Sequence, residues 1–422
     1  MTTPRLHRLS NGVTVVCDPM AGLESFALSV VAGRGARQED PERSGWSHLL
    51  EHMVFKGAGG RSARQIVEAI ESEGGSLNAS TGYERTSFQV RALKGALGLA
   101  MKTTSDLVLH PDFDPDELAR EKLVVAQEIA EAADTPDDHV FEMAQTAAFE
   151  GQPLGRPILG EVETVDVATP DALEAWRAGL YAPDRLVVSA SGAVDEDEFL
   201  ELSEQLFGQV AAGQPTPAPE TASFAGGLRP LARKLEQAHL VFLLPAPGAL
   251  DRDYYALRLF AETLGGGMSS RLFQEAREKR GFAYNIDAWA DTYSDVGALG
   301  VYAGASADKA TELAKVAAAE IASLAAKIEP DELARAQAQL KAHLFMAREA
   351  PLVRAEQAAG QVLLFGELIT AASIAEGIDA VSAADIARVG SRLLEPARCV
   401  AAVLGSRASL GAADGFRRAL LG

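Results

Sequence analysis

The chain has 422 residues, 47% hydrophobic and 23% charged, a composition typical of a folded globular protein with room for two domains. Its formal net charge of -20 argues against nucleic acid as a partner, because proteins bind a phosphate backbone mainly through clustered Lys and Arg. Acidic groups that line a cavity would favour neutral or basic peptides, whereas acidic groups on the outer surface only keep a protein in solution. The net charge alone leaves both interpretations open.

Sequence features that report on cellular location favour the cytoplasm. Residues 1–8 lack the apolar run of a signal peptide. The two cysteines, Cys17 and Cys399, are far apart and outside any metal-ligand spacing, so we expect no disulfide framework. No segment is apolar for long enough to cross a bilayer. We therefore expect a cytoplasmic protein that is not embedded in a membrane.

The first half of the chain is predicted to mix strands and helices. Apolar and alternating runs predict β-strands over residues 12–16, 26–31 and 86–91. Apolar residues recur with the period of an α-helix over residues 44–53, 63–73, 95–109 and 114–133.

The middle of the chain, residues 211–230, is rich in Pro, Ala and Gly, a composition that disfavours packed structure. We predict a linker over residues 213–229, between a first domain of residues 1–212 and a second domain of residues 230–422. In the second domain we predict strands over residues 238–244 and 296–302, and helices over residues 252–264, 270–280 and 307–326.

The two halves share a repeated sequence. Residues 115–120 read Pro-Asp-Glu-Leu-Ala-Arg, and the same letters recur at residues 330–335. A second set of identities within residues 62–78 recurs at constant spacing within residues 269–285. Pro followed by acids is also a common helix start, but two matched blocks in the same order favour duplication. The sequence therefore predicts an α+β fold of two homologous α/β-sandwich domains, each a mostly antiparallel sheet covered by helices.

The helix predicted over residues 44–53 contains His48-Leu49-Leu50-Glu51-His52. Histidines four positions apart lie on one face of a helix, one turn apart, where both imidazoles can bind one metal ion. Glu51 reaches the same face, and a carboxylate beside a zinc ion can take a proton from water as general base. A helix that carries two histidines only for packing is the alternative, although its buried polar groups would then need other partners. We predict a Zn²⁺ site with His48 and His52 as ligands and Glu51 as base.

The order His-x-x-Glu-His is the reverse of the common metallopeptidase motif and is typical of inverted zincins. Together with residues 12–13, 48–57, 75–81 and 121–138, it resembles the pitrilysin family, which includes insulin-degrading enzyme and the mitochondrial processing peptidase. The likeness extends over nearly the whole chain. Larger relatives fuse two such pieces, whereas this chain has the length of one piece, as in the short-chain dimeric subfamily.

The resemblance implies a third zinc ligand on the helix predicted over residues 114–133. The family's ligand is a glutamate, which falls on Glu128, and its second acid, seven residues earlier, falls on Glu121. Glu121 would orient a histidine from outside the ligand set. Helical periodicity alone does not select these residues, because glutamates at this spacing usually form a solvated face and Glu131 fits equally well.

The resemblance also implies how a peptide substrate is held. Residues 74–81 resemble the family's substrate-binding edge strand, in which Asn78 and Ala79 match positions that contact the peptide near the scissile bond. Without the resemblance, Gly-Gly followed by Asn is more often a turn. In the second half, Arg277 and Tyr284 match an arginine and a tyrosine that can hold the peptide carbonyl and the oxyanion formed on it.

These residues predict a zinc-dependent endopeptidase that hydrolyses extended or unfolded peptides. The second half has no His-x-x-Glu-His motif of its own, so Arg277 and Tyr284 are expected to complete a site on another subunit. A homodimer that encloses a chamber is the simplest assembly, and a heterodimer with a paralogue is the rival. Two functional alternatives remain: a non-catalytic structural subunit that resembles respiratory complex core proteins, and a catalytic subunit active only with a paralogous partner.

Overall fold

A computed structural model describes residues 4–211, 220–394 and 397–422. Its β-strands, in chain order, are Arg5–Arg8 (β1), Thr14–Pro19 (β2), Ser25–Ala32 (β3), Gly57–Ala58 (β4), Arg61–Ser62 (β5), Ser76–Thr81 (β6), Thr86–Leu93 (β7), Leu186–Gly192 (β8), Gly227–Ala232 (β9), Gln237–Pro247 (β10), Ala283–Thr292 (β11), Val296–Ser306 (β12) and Val400–Gly405 (β13).

The α-helices, in chain order, are Trp46–Val54 (α1), Ala63–Ser72 (α2), Leu97–Leu109 (α3), Pro115–Asp134 (α4), Pro136–Ala148 (α5), Val162–Asp166 (α6), Pro170–Leu180 (α7), Glu196–Phe207 (α8), Tyr254–Gly265 (α9), Ala310–Ala326 (α10), Pro330–Ala347 (α11), Pro351–Phe365 (α12), Ala371–Asp379 (α13), Ala383–Leu394 (α14) and Gly411–Leu421 (α15). The helix predicted over residues 270–280 is π-helical at Phe273–Glu278, with Lys279 N–H donating to Gln274 O at 3.0 Å. The other predicted elements form within a few residues of their expected bounds.

The chain forms two compact units that differ from its sequence halves. Unit 1 contains residues 4–130, 157–211 and 345–370, and unit 2 contains residues 131–156, 220–344 and 371–422. The predicted domains, 1–212 and 230–422, are therefore wrong for two segments: residues 131–156 belong to unit 2, and residues 345–370 belong to unit 1. The physical reason is helix packing: α12 packs on β3 and β8 in unit 1, whereas α5 packs on β10 and β13 in unit 2.

The predicted linker, residues 213–229, also needs correction. Residues 213–219 lie outside the described part of the chain, but β9 already begins at Gly227 and pairs in parallel with β13. This strand contains Pro230, which has no backbone N–H to donate. It is tolerated because β9 is the last strand in the order of its sheet.

The sheets of the two units share one topology. The order is β1-β2-β8-β3-β7-β6 in unit 1 and β11-β12-β10-β13-β9 in unit 2. Strands β6, β7, β3, β8 and β2 correspond in order to β11, β12, β10, β13 and β9. The pairs β2–β8 and β9–β13 are parallel, and the other pairs of these sheets are antiparallel in the described residues. The predicted α+β fold of two similar sandwiches is confirmed.

A buried ion pair holds α12 on the sheet of unit 1. Arg354 donates to Asp18 through Nε at 2.5 Å and through Nη2 at 2.6 Å. The two side chains are 3% and 1% exposed. Desolvation of such a pair is costly, so the loss of one partner leaves a buried charge without compensation.

Replacing Arg354 by Met is therefore expected to lower the free energy of unfolding of unit 1 by about 3–5 kcal/mol. Chemical denaturation followed by circular dichroism measures the change. The matched control is Arg64→Met, because Arg64 forms a surface pair with Glu68 and exposed pairs of this spacing contribute only about 0.3–0.5 kcal/mol. An equally small decrease in the free energy of unfolding for both variants would contradict a structural role of the buried pair.

Within the described ranges, none of the helices combines the length and the apolar composition that crossing a bilayer requires.

Candidate metal centre

Helix α1 is fixed at its start by a glycine and a buried glutamate. Gly45 precedes the helix with φ 89°, and a Cβ there would lie 2.5 Å from Leu159 O, so a side chain is excluded by both strain and space. Glu39, 3% exposed, accepts from the N–H groups of Gly45 and Ser47 at 2.9 and 2.7 Å. A carboxylate in this position satisfies orphan N–H groups and complements the positive end of the helix dipole.

The two faces of α1 separate packing from chemistry. Its apolar side chains are fully buried in the core of unit 1, where they fix the rotation of the helix: Leu49, Leu50, Met53 and Val54. The opposite face carries His48, Glu51 and His52, which are half-buried. The imidazole rings of His48 and His52 have centroids 4.7 Å apart, as expected for positions one turn apart on a helix.

Glu128 of α4 faces both histidines. Its Oε2 lies 3.6 Å from His48 Nε2 and 3.5 Å from His52 Nε2. One ligand atom from each of His48, His52 and Glu128 falls within 4.8 Å of the others. Glu131, which fits the helical periodicity equally well, is exposed to solvent. The structure therefore brings together the three predicted metal ligands.

The donor set suits zinc. Two imidazole nitrogens and one carboxylate oxygen are a ligand set of catalytic zinc sites, which keep a fourth position for water or substrate. Bonds of about 2.0–2.1 Å in a tetrahedron place ligand atoms roughly 3.3 Å apart, close to the separations of Glu128 from the histidines. Among the described residues, Glu128 Oε2 is buried with no hydrogen-bond partner, and a buried carboxylate oxygen of this kind needs a cation or a donor.

Burial keeps His48 in the form that can bind a metal. Desolvation, together with the nearby charge of His52, lowers the pKa of His48 to about 4. The imidazole is therefore neutral at neutral pH, with a lone pair free for coordination.

Glu121 lies behind the metal ligands and contacts His52. Its Oε2 lies 3.0 Å from His52 Nδ1, and its Oε1 lies 2.7 Å from Lys56 Nζ. The side chain of Glu121 is only 6% exposed. This is the arrangement of a carboxylate that orients a metal-binding imidazole from outside the ligand set.

Glu51 lies beside the edge strand β6. Burial raises the pKa of Glu51, while hydrogen bonds from the side chain and backbone of Thr81 and the charge of His52 lower it. Its Oε2 is buried without a hydrogen-bond partner among the described residues. The hydroxyl of Tyr181 shares this environment: burial, and then the charge of Glu51, raise the pKa of Tyr181.

Asn78 and Ala79 lie on the outermost strand of the unit 1 sheet. Strand β6 pairs with β7 on one side, with Asn78 opposite Gln89 and Ala79 opposite Phe88, and it is last in the order of the sheet. Asn78 is exposed, whereas Ala79 is buried. The predicted strand is therefore formed rather than the turn that Gly-Gly-Ser-Leu-Asn alone would favour.

Arg277 and Tyr284 belong to unit 2, whereas the metal-ligand cluster belongs to unit 1. Arg277 lies in the π-helical segment, with its Cζ 4.7 Å from the ring centroid of Phe273. Tyr284 is 64% exposed and is the extra residue of a bulge in β11, where the register shifts between Ala283 and Asn285. Bulges and π-helical segments both re-aim side chains and recur at functional sites.

Several residues of the site were not predicted from the sequence. Lys56, Thr81 and Tyr181 contact or face the predicted residues, and Glu39 holds the start of α1 through Gly45 and Ser47. The one usable signal was helical spacing, since Lys56 follows His52 by four positions and therefore extends the same face. Thr81 ends the segment 74–81 that resembles the family's edge strand, and Glu39 is close to α1 in sequence. Tyr181 is brought in by long-range packing.

Known proteins resemble the chain over most of its length. The family model "Insulinase (Peptidase family M16)" matches residues 18–162, which contain the metal-ligand cluster. The model "Peptidase M16 inactive domain" matches residues 168–340, which contain Arg277 and Tyr284. A Rickettsia bellii protein named "Uncharacterized zinc protease" is 35% identical over 95% of this chain and 97% of its own length.

Two solved structures share the fold. A protease from Helicobacter pylori superposes with a TM-score of 0.88 at 20% identity, over 96% of this chain and 99% of its own. A chain of complex III2 from Candida albicans superposes with a TM-score of 0.85 at 21% identity, over 99% of both chains. At these identities the superpositions show the fold alone.

Proposed function

This chain belongs to the insulinase family of peptidases, M16, and we propose on that premise that it is a zinc-dependent endopeptidase of extended or unfolded peptides. One observation carries the proposal: His48, His52 and Glu128 converge on one point, with Glu51 on the same helix face. The alternative is a structural subunit resembling respiratory complex core proteins, and the likeness to a chain of complex III2 shows a shared fold alone. That role would not require a metal-ligand set with an adjacent general base.

In this proposal His48, His52 and Glu128 hold the zinc, and Glu121 orients His52. A bound zinc would polarise the scissile carbonyl and lower the pKa of water. Glu51 accepts a proton from the attacking water and then delivers it to the leaving nitrogen. Its burial beside Thr81 favours this role, because a partly desolvated carboxylate is a stronger base than a solvated one.

The edge strand β6 supplies the binding mode for the substrate. An extended peptide can pair with its outer backbone groups near Asn78 and Ala79, which gives affinity with little demand on side-chain sequence. Arg277 and Tyr284, contributed by another subunit, would bind the peptide carbonyl and the developing oxyanion. We propose a homodimer that encloses the substrate in a chamber. The rival assembly is a heterodimer with a paralogue, in which this chain is active only with its partner.

Cleavage of a mixed library of unstructured peptides tests the proposed activity. Purified protein is expected to yield defined internal cleavage products by mass spectrometry. A chelator should abolish the products, and added zinc should restore them, because the metal polarises the reacting groups. The zinc content of the same samples is measured. A protein that contains zinc but cleaves no peptide alone would favour the partner-dependent alternative, and one without zinc or cleavage would favour the structural subunit.

A further inference from the structure

A lysine completes a chain of contacts that leads to the metal-ligand cluster. Lys56 follows His52 by four positions, and Phe55 between them keeps helical backbone angles. The ammonium group of Lys56 and the imidazole of His52 therefore both face Glu121 of α4. Lys56 Nζ contacts Glu121 Oε1 at 2.7 Å, and His52 Nδ1 contacts Glu121 Oε2 at 3.0 Å.

The two oxygens of Glu121 are thereby divided between two donors. A carboxylate this buried can turn either oxygen toward the imidazole unless something fixes its orientation. Lys56, whose side chain is 31% exposed, binds one oxygen and leaves the other for Nδ1–H of His52. Donation from Nδ1 leaves the lone pair on Nε2, the nitrogen that faces Glu128.

His52, rather than His48, is the histidine whose orientation Lys56 and Glu121 can fix. Among the described residues, His48 Nδ1 is buried without a hydrogen-bond partner, so the ring of His48 has no outer contact of this kind. The tautomer and rotation of His52 therefore depend on Glu121, and the position of Glu121 depends on the cation beside it.

We infer that Lys56 is a positioning residue of the metal centre, which holds Glu121 against His52 and so fixes the imidazole nitrogen presented to the metal. This inference rests on the proposed function, because it assumes that His52 binds zinc. Lys56 acts through Glu121 and lies outside the metal-ligand cluster of His48, His52 and Glu128. A purely structural contact between α1 and α4 is the competing explanation.

Zinc affinity tests the inference directly. The zinc dissociation constant is measured by competition with a chromophoric chelator for wild type, Lys56→Met and Lys56→Arg. Lys56→Met is expected to weaken zinc binding by about 10–100-fold, the usual effect of losing an outer partner of a metal ligand. Lys56→Arg keeps the cation and should remain near wild type. The control is Lys94→Met, at an exposed lysine between β7 and α3, which should leave the affinity unchanged.

Two further readouts separate positioning from structure. The absorption spectrum of the cobalt-substituted protein reports ligand geometry, and Lys56→Met should shift its visible bands while the metal-free protein unfolds at the wild-type temperature. In a double-mutant cycle, Lys56→Met should weaken zinc binding little further in a Glu121→Gln background. Both substitutions disrupt the same chain of contacts from Lys56 through Glu121 to His52. If Lys56→Met does not fold, Lys56→Gln replaces it in every comparison.

Wild-type affinity together with an unchanged cobalt spectrum in Lys56→Met would overturn the inference. Fully additive effects of Lys56→Met and Glu121→Gln would also overturn it. These failures differ from failure of the proposed function itself, which would appear as a wild-type protein that binds no zinc.

Discussion

Replacing Glu51 by Gln is expected to lower kcat for peptide cleavage by about 10²–10⁴-fold, while the variant stays folded and binds zinc like wild type. The amide has nearly the shape of the carboxylate but cannot accept a proton from water. Because His48, His52 and Glu128 form the ligand cluster without Glu51, metal content should not change. Steady-state kinetics on one peptide substrate, with zinc measured on the same preparation, gives both quantities.

The matched control for this substitution is Glu131→Gln. Glu131 lies on α4, one turn beyond Glu128, and is exposed, so its replacement should leave kcat unchanged. Cleavage near the wild-type rate in Glu51→Gln would mean that another group removes the proton. Loss of zinc together with cleavage would instead mean that Glu51 supports the metal rather than the water.

The centre of the site could be predicted because its information is local. His48, Glu51 and His52 lie within five consecutive residues, and helical geometry alone places them on one face. Glu128 could not be chosen this way, because Glu131 has an equally good spacing. The family resemblance selected Glu128, and the structure shows the reason: Glu128 faces the imidazoles whereas Glu131 faces solvent.

The surroundings of the site could not be predicted because their residues belong to no motif. Glu39 caps α1 from a preceding loop, and Tyr181 approaches Glu51 from the end of α7. Glu39 is near α1 in sequence, but no pattern marks it as a cap. Tyr181 comes near Glu51 only through the tertiary fold. The domain assignment failed for a similar reason. The sequence repeat correctly indicated two similar sheets, but periodicity cannot show that α5 and α12 cover the sheets of the opposite halves.

Mixing two inactive variants is expected to restore cleavage if Tyr284 acts on the site of another subunit. Tyr284→Phe removes one donor to the oxyanion and should lower kcat by about 10²–10³-fold, while Glu51→Gln removes the base. In a mixed homodimer, the Tyr284→Phe subunit contributes an intact Glu51 and the Glu51→Gln subunit an intact Tyr284, so one of the two sites is complete.

Random exchange makes half of the dimers mixed, so the recovered activity should approach roughly one quarter of the wild-type value. The subunits are mixed, allowed to exchange and assayed at constant total concentration, and each variant incubated with itself is the control. Tyr284 is accessible for contact with another subunit, because it is 64% exposed in a bulge of β11. Mixed dimers that form, as seen by mass spectrometry, yet remain inactive would place Tyr284 in the site of its own chain. Wild-type activity of Tyr284→Phe on its own would place Tyr284 outside the reaction. If neither protein dimerises, the paralogous partner becomes the assembly to test.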